Sequence, residues 1–274
     1  MRRGGFSKKQ VSLTSCGPMG GERADVTEDA VLGGRLILRQ PRKGLRVGHD
    51  AILLAAACSV RPRERLIELG AGVGAAGLAV AHRVDALALT MIEIDPVLAA
   101  LARDNAERNG LAECTRVVCL DATASPEGFA AADISAAAAD HVLMNPPFNA
   151  AHNPSPDRSR RLAHAGTPDM LRQWIETAAR LLRPAGVLTL IWRADALDVV
   201  LAALADDFGT VGILPIHPKP DAPAIRVLVR AVKQSRAPLA LLPGLVLTDG
   251  NGEPTPAAEA VLRAGALLAL AEIQ

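Results

Sequence analysis

At 274 residues, half of them apolar, the chain is long enough to bury one sizeable α/β core, and with 2% aromatics and no tyrosine that core must be aliphatic. A formal net charge of +1 argues neither for nor against nucleic acid. The longest apolar run, around residues 51–58, falls far short of the roughly 20 residues of a membrane span, which excludes a transmembrane helix.

Residues 1–27 are polar and lack periodicity, and they carry Arg2, Arg3, Lys8, Lys9 and Arg23 against the single acid Glu22. They read as a flexible tail and, with no apolar stretch after the charges, not as a secretory signal. Residues 35–39 alternate as a short strand. Asp50 is placed to cap a helix over 51–58.

From residue 65 the pattern becomes strand, loop, helix, repeated. A strand at 65–69 runs into ELGAGVG (68–74) and a helix at 75–82. Gly70, Gly72 and Gly74 let the backbone turn sharply and a ligand approach closely, at a helix end with open N–H groups. The GxGxG spacing, with Glu68 leading it, departs from the GxGxxG of nicotinamide enzymes. A second strand at 86–94 carries MIEIDP (91–96). Glu93, about twenty residues past the glycines, is placed to accept both ribose hydroxyls of a bound nucleoside, while Asp95 reads as the cap of the helix at 96–109. A third strand at 116–120 ends in LDA (120–122). Asp121 there reads equally as an acceptor for a cofactor adenine amino group and as a turn cap.

The fourth strand, 141–144, ends in NPPF (145–148). Two prolines fix the backbone and donate nothing, so the Asn145 side-chain oxygen and the Pro146 carbonyl form two fixed acceptors. Such a pair suits an NH₂ group, and Phe148 supplies a flat face on which a base or amide can stack. Beyond the motif stand Arg158, Arg160 and Arg161, suited to a phosphate, and His152 and His164, which read as loop histidines. A helix at 167–182, a strand at 187–192, a helix at 197–206, strands at 211–215 and 225–232 and a helix at 256–270 complete the pattern.

These elements predict a doubly wound, seven-stranded, mostly parallel sheet with an antiparallel edge strand. Residues 28–233 form the main domain, and 234–274 add a loop and helix packed on it. Cys16, Cys58, Cys114 and Cys119 make no CxxC pair and no zinc spacing with histidine, so reduced thiols, a cytoplasmic location and no metal are expected.

Together, ELGAGVG, the acid in MIEID and NPPF resemble the amino-methylating group of class I S-adenosylmethionine (SAM)-dependent methyltransferases. QPRKGLRVGHDAILLA (40–55), RVLVR (226–230), KQSRAP (233–238), LPGLVL (242–247) and AEAVLR (258–263) are similar to the corresponding segments of the bacterial tRNA1(Val) adenine(37)-N6-methyltransferase family. The resemblance covers roughly residues 33–270. It implies SAM as cofactor, held by Glu68, Gly70, Gly72, Gly74, Glu93 and Asp121, catalysis at Asn145, Pro146 and Phe148, and an RNA substrate, tRNA. The chain departs from the pattern at Leu45 and Asn149, where relatives carry aromatics. Guanine-N2 methylation of ribosomal RNA and glutamine-N5 methylation of a protein are alternatives on the same scaffold. Glutamine-methylating enzymes end the motif in tyrosine and carry an N-terminal helical domain, so Phe148 and the short tail favour nucleic acid. A noncatalytic SAM-binding module and a nicotinamide dehydrogenase are the more distant readings.

Overall fold

A computed structural model describes residues 26–43, 46–147 and 168–272. Most of the 1–27 tail, together with Leu45, Phe148, His152, Arg158, Arg160, Arg161 and His164, lies outside the described residues.

The chain opens with an antiparallel hairpin, β1 (Val26–Val31) and β2 (Leu36–Pro41). Helix α1 (His49–Ala56) follows, then β3 (Arg65–Leu69), α2 (Ala75–Arg83), β4 (Ala88–Glu93), α3 (Pro96–Arg108), β5 (Thr115–Cys119), α4 (Pro126–Ala131) and β6 (Ala139–Met144). After residue 167 come α5 (Pro168–Leu181), β7 (Leu182–Arg193), α6 (Leu197–Leu204), β8 (Phe208–His217) and β9 (Arg226–Lys233). Two-residue strands β10 (Ala240–Leu241) and β11 (Leu245–Val246) and helix α7 (Pro256–Leu262) end the pattern.

Strands β3 to β7 pair in parallel in the order β5-β4-β3-β6-β7, so the chain winds outward in both directions from β3 and β6. Strands β3, β4, β6 and β7 are largely buried and read as apolar runs, which is why the sequence locates them, whereas β5 lies at the edge and is half-exposed. Helices α1, α2, α3 and α7 pack on one face, with Leu54, Leu78 and Val261 in that core. Helices α4, α5 and α6 pack on the other, around Phe129, Leu171 and Val200.

Three expectations are corrected. The antiparallel strand is not at the edge: β9 inserts between β7 and β8, and β10 and β11 add beyond β8, giving nine strands. The core residues of β9, Val227 to Ala231, are all buried, which requires a neighbour on each side. Asp50 does not cap α1. Gly48 holds the cap position, and the Asp50 carboxylate instead pairs with Arg226 on β9 at 2.9 Å. The last helix stops at Leu262, because Gly265 turns left-handed (φ +70°).

The hairpin is fastened by α3. Asn105, fully buried, accepts the Arg39 N–H at 2.7 Å and donates to the Arg39 and Val73 carbonyls at 3.0 and 2.9 Å. Asn109 brackets Ile37 in the same way. Two carboxamides on one helix face thus stand in for a third strand, and the fastening brings the segment after β2 to the sheet's carboxyl end.

Candidate active site

The carboxyl ends of β3, β4, β5 and β6 surround a cavity of about 500 Å³. This is where ligands bind in open α/β sheets. The glycine turn forms its base. Gly70 (φ +66°) sits in the left-handed region, and a Cβ there would run into the Trp174 ring. Gly72 lines the cavity, whereas Gly74 does not: it is the left-handed residue that starts α2, packed on Met91.

The acids of this wall are already engaged by backbone. Glu93 accepts the Gly72 N–H at 2.7 Å on one oxygen and the Asp95 N–H at 2.8 Å on the other. Burial raises its carboxyl above the ordinary range, against the pull of those N–H groups. Asp95 caps α3, accepting from Val97 and Leu98. Asp121 takes the Thr123 N–H and hydroxyl on a single oxygen, at 2.7 and 2.8 Å, and still lines the cavity. Both alternatives for Asp121 therefore stay compatible with its position.

Glu68 differs from the other acids. It is buried and accepts the Gly77 N–H at 2.9 Å from inside the first turns of α2. Gly77 permits this, since a Cβ there would collide with the Glu68 carboxylate. Burial, helped by the nearby Glu93 charge and opposed by the Gly77 N–H, pushes the Glu68 carboxyl up to about 8. Near neutral pH it is largely an uncharged acid, the state that a site without solvent favours.

The opposite wall comes from three distant segments. Asn145, Pro146 and Pro147 line the cavity directly after β6. The Asn145 side-chain oxygen is sealed from solvent and accepts no hydrogen bond among the described residues. A buried carboxamide oxygen without a partner is costly unless a ligand completes it. Helix α5 adds Met170, Gln173 and Trp174, which the sequence reading placed in a helix but gave no role. The segment after β2 adds Arg46, Val47 and Asp50. It is held by the Gln40 side-chain oxygen Oε1, which accepts the Val47 N–H at 2.8 Å, and by Arg46 on Asp29 at 2.9 Å.

Residues 46–217, more than half of the chain, match the family model for the methyltransferase small domain. The chain belongs to that family. It is 30% identical to a tRNA1(Val) (adenine(37)-N6)-methyltransferase of Tolumonas auensis over 154 residues, which are 56% of this chain and 61% of that enzyme. It thus spans less than two thirds of that relative. An enzyme of the same name from Aeromonas hydrophila is 31% identical over 192 residues, covering 69% of this chain and 77% of the relative. The crystal structure of a predicted O-methyltransferase from Agrobacterium tumefaciens superposes with a TM-score of 0.68 at 30% identity, over 80% of this chain and 98% of that one.

Family membership makes SAM the cofactor that the cavity has to fit. The donor set fits. A turn of small residues allows close approach to a nucleoside, Glu93 and Asp121 stand on adjacent strand ends, and the orphaned Asn145 oxygen lies across the same space.

Proposed function

We propose that this methyltransferase transfers a methyl group from SAM to the N6 amino group of an adenine in tRNA. The observation that carries the reading is the sealed, unpartnered Asn145 oxygen, fixed by two prolines opposite the glycine turn. Two relatives at about 30% identity are named for this reaction and give it further support. When bound, SAM supplies an electrophilic methyl group on a positive sulfonium.

The protein's share of the chemistry is positional and electrostatic. Asn145 Oδ1 and the Pro146 carbonyl oxygen accept the two N–H bonds of the exocyclic amine. Those bonds favour a pyramidal nitrogen and turn its lone pair toward the methyl group. An amine held this way would lose its proton only after accepting the methyl group, so the chain need supply no strong base. A hydroxyl acceptor has one hydrogen and would use only one of the two oxygens, so the turn favours an amine. Glu93 would hold the ribose hydroxyls, using the lone pairs that Gly72 and Asp95 leave free. Phe148, next in the chain, would stack on the base.

Asn145→Ala, assayed at saturating SAM on tRNA lacking the modification, should lower kcat on the order of 10²-fold or more while SAM still binds. Undiminished turnover would remove the proposed role. Nucleoside mass spectrometry of the product should show N6-methyladenosine. N2-methylguanosine would redirect the reading to a guanine substrate.

A further inference from the structure

Beneath α1 the sheet carries a second group of buried polar side chains, which the cavity does not use. Thr189 on β7 and Arg230 on β9 are direct cross-strand partners. His141 on β6 pairs with Val187, two residues before Thr189, so its side chain shares their face of the sheet. His141, Thr189 and Arg230 are only 6%, 1% and 6% exposed. His141 Nε2 lies 3.0 Å from the Glu64 carboxylate, and the same oxygen takes the Arg61 N–H at 2.8 Å.

The rest of the group is unsatisfied. Among the described residues, Arg230 Nε and Nη1, Thr189 Oγ1 and His141 Nδ1 are sealed from solvent and have no hydrogen-bond partner. The guanidinium keeps its charge at any physiological pH, and Glu64 is committed to Arg61 and His141. A buried cation with unused donors demands an acceptor that also carries charge. A water molecule would satisfy an N–H but add no charge to offset the guanidinium.

We propose that Arg230, Thr189 and His141 form an internal binding site for one small monovalent anion of halide size. The two Arg230 N–H groups and the Thr189 hydroxyl donate to it. His141 joins as a further donor once Nδ1 is protonated. The surrounding charges set this coupling. Burial chiefly lowers the His141 pKa, Arg230 lowers it further, and Glu64 and Asp140 oppose both. Cys58, at the end of α1, is pushed up to about 11 by burial and stays a neutral thiol. Arg83 on α2 keeps its charge and donates to the Ala55 and Cys58 carbonyls. An anion on Arg230 cancels the charge that disfavours the imidazolium, so anion and proton bind cooperatively.

The test uses the whole protein. Crystals grown in sodium bromide should show an anomalous peak within hydrogen-bond distance of Arg230 and Thr189, absent from Arg230→Met. NMR titration of His141, assigned with His141→Gln, should give a pKa higher in chloride than in gluconate by about one pH unit. Thr189→Val should erase most of that difference, and it keeps the test open if Arg230→Met fails to fold. A site holding only water, a chloride-independent titration, or a peak that persists in Arg230→Met as an adventitious ion only would each overturn the proposal.

Discussion

On the glycine-turn side of the cavity every acid already holds a backbone N–H, whereas on the Asn-Pro-Pro side the central oxygen holds none. The first wall is complete before any ligand arrives: Glu93 ties the turn to β4, and Glu68 ties β3 to α2. The second wall keeps an acceptor without a partner beside the cavity. A wall that shapes and a wall that reacts thus meet across one space. Preorganisation lowers the cost of binding on the first, and an unspent hydrogen-bond acceptor serves the transition state on the second.

The harshest way to break this division is Gly70→Ala, because it strikes both walls. The left-handed φ of +66° costs a residue with a Cβ about 1 to 2 kcal/mol, and displacing the Trp174 ring adds roughly 1 to 3 kcal/mol of overpacking. Urea denaturation should show a loss on the order of 3 kcal/mol, and calorimetry should show SAM binding lost with it. Native stability together with native binding would mean that the turn is not as tight as its geometry implies.

Glu68→Gln sharpens the comparison within the first wall. The carboxyl is pushed up to about 8 in the folded protein, against 4.5 as an ordinary glutamate. Folding therefore takes up a proton between those values. The stabilisation is fully present below pH 4.5 and is lost as pH rises through about 8, at no more than roughly 1.4 kcal/mol per pH unit. Glutamine keeps an acceptor for the Gly77 N–H and cannot ionise. The variant should flatten the decline in stability between pH 6 and 8, as read from urea midpoints across pH. An unchanged slope would place the titration elsewhere.

What the sequence could show follows the same division. The first wall is local: Glu68 to Gly74, Glu93 and Asp121 each lie at the end of a parallel strand, where the strand meets a turn. The second wall is assembled across long separations. Trp174 and Met170 read as an ordinary apolar face of α5, with Leu171 and Ile175, and only the fold turns part of that face toward the cavity. Asp50 has the spacing of a helix cap, but Arg226, 176 residues away, claims its carboxylate. β1 is largely polar and carries no strand periodicity of its own. It exists because β2 pairs with it and α3 fastens β2 through Asn105 and Asn109. The position of β9 was hidden for the same reason. A short connection from β8 identifies a hairpin but does not say on which side of β8 the returning strand lies.

The smallest expected effect decides which wall owns Asp121. Its Oδ1 holds the Thr123 N–H and hydroxyl, so one oxygen does all the work of the turn. Asp121→Asn keeps that oxygen and replaces the other with an amide NH₂. If the second oxygen accepts from the adenine amino group of SAM, the variant sets donor against donor and forfeits about 1 kcal/mol, roughly a fivefold weaker SAM affinity. Stability should hardly move, because the turn is intact. If affinity is unchanged in Asp121→Asn and stability falls only in Asp121→Ala, the residue is a turn cap, and recognition of the cofactor adenine passes to the backbone and to the apolar contacts of Ile92, Ile94 and Leu120 that line the same end of the cavity.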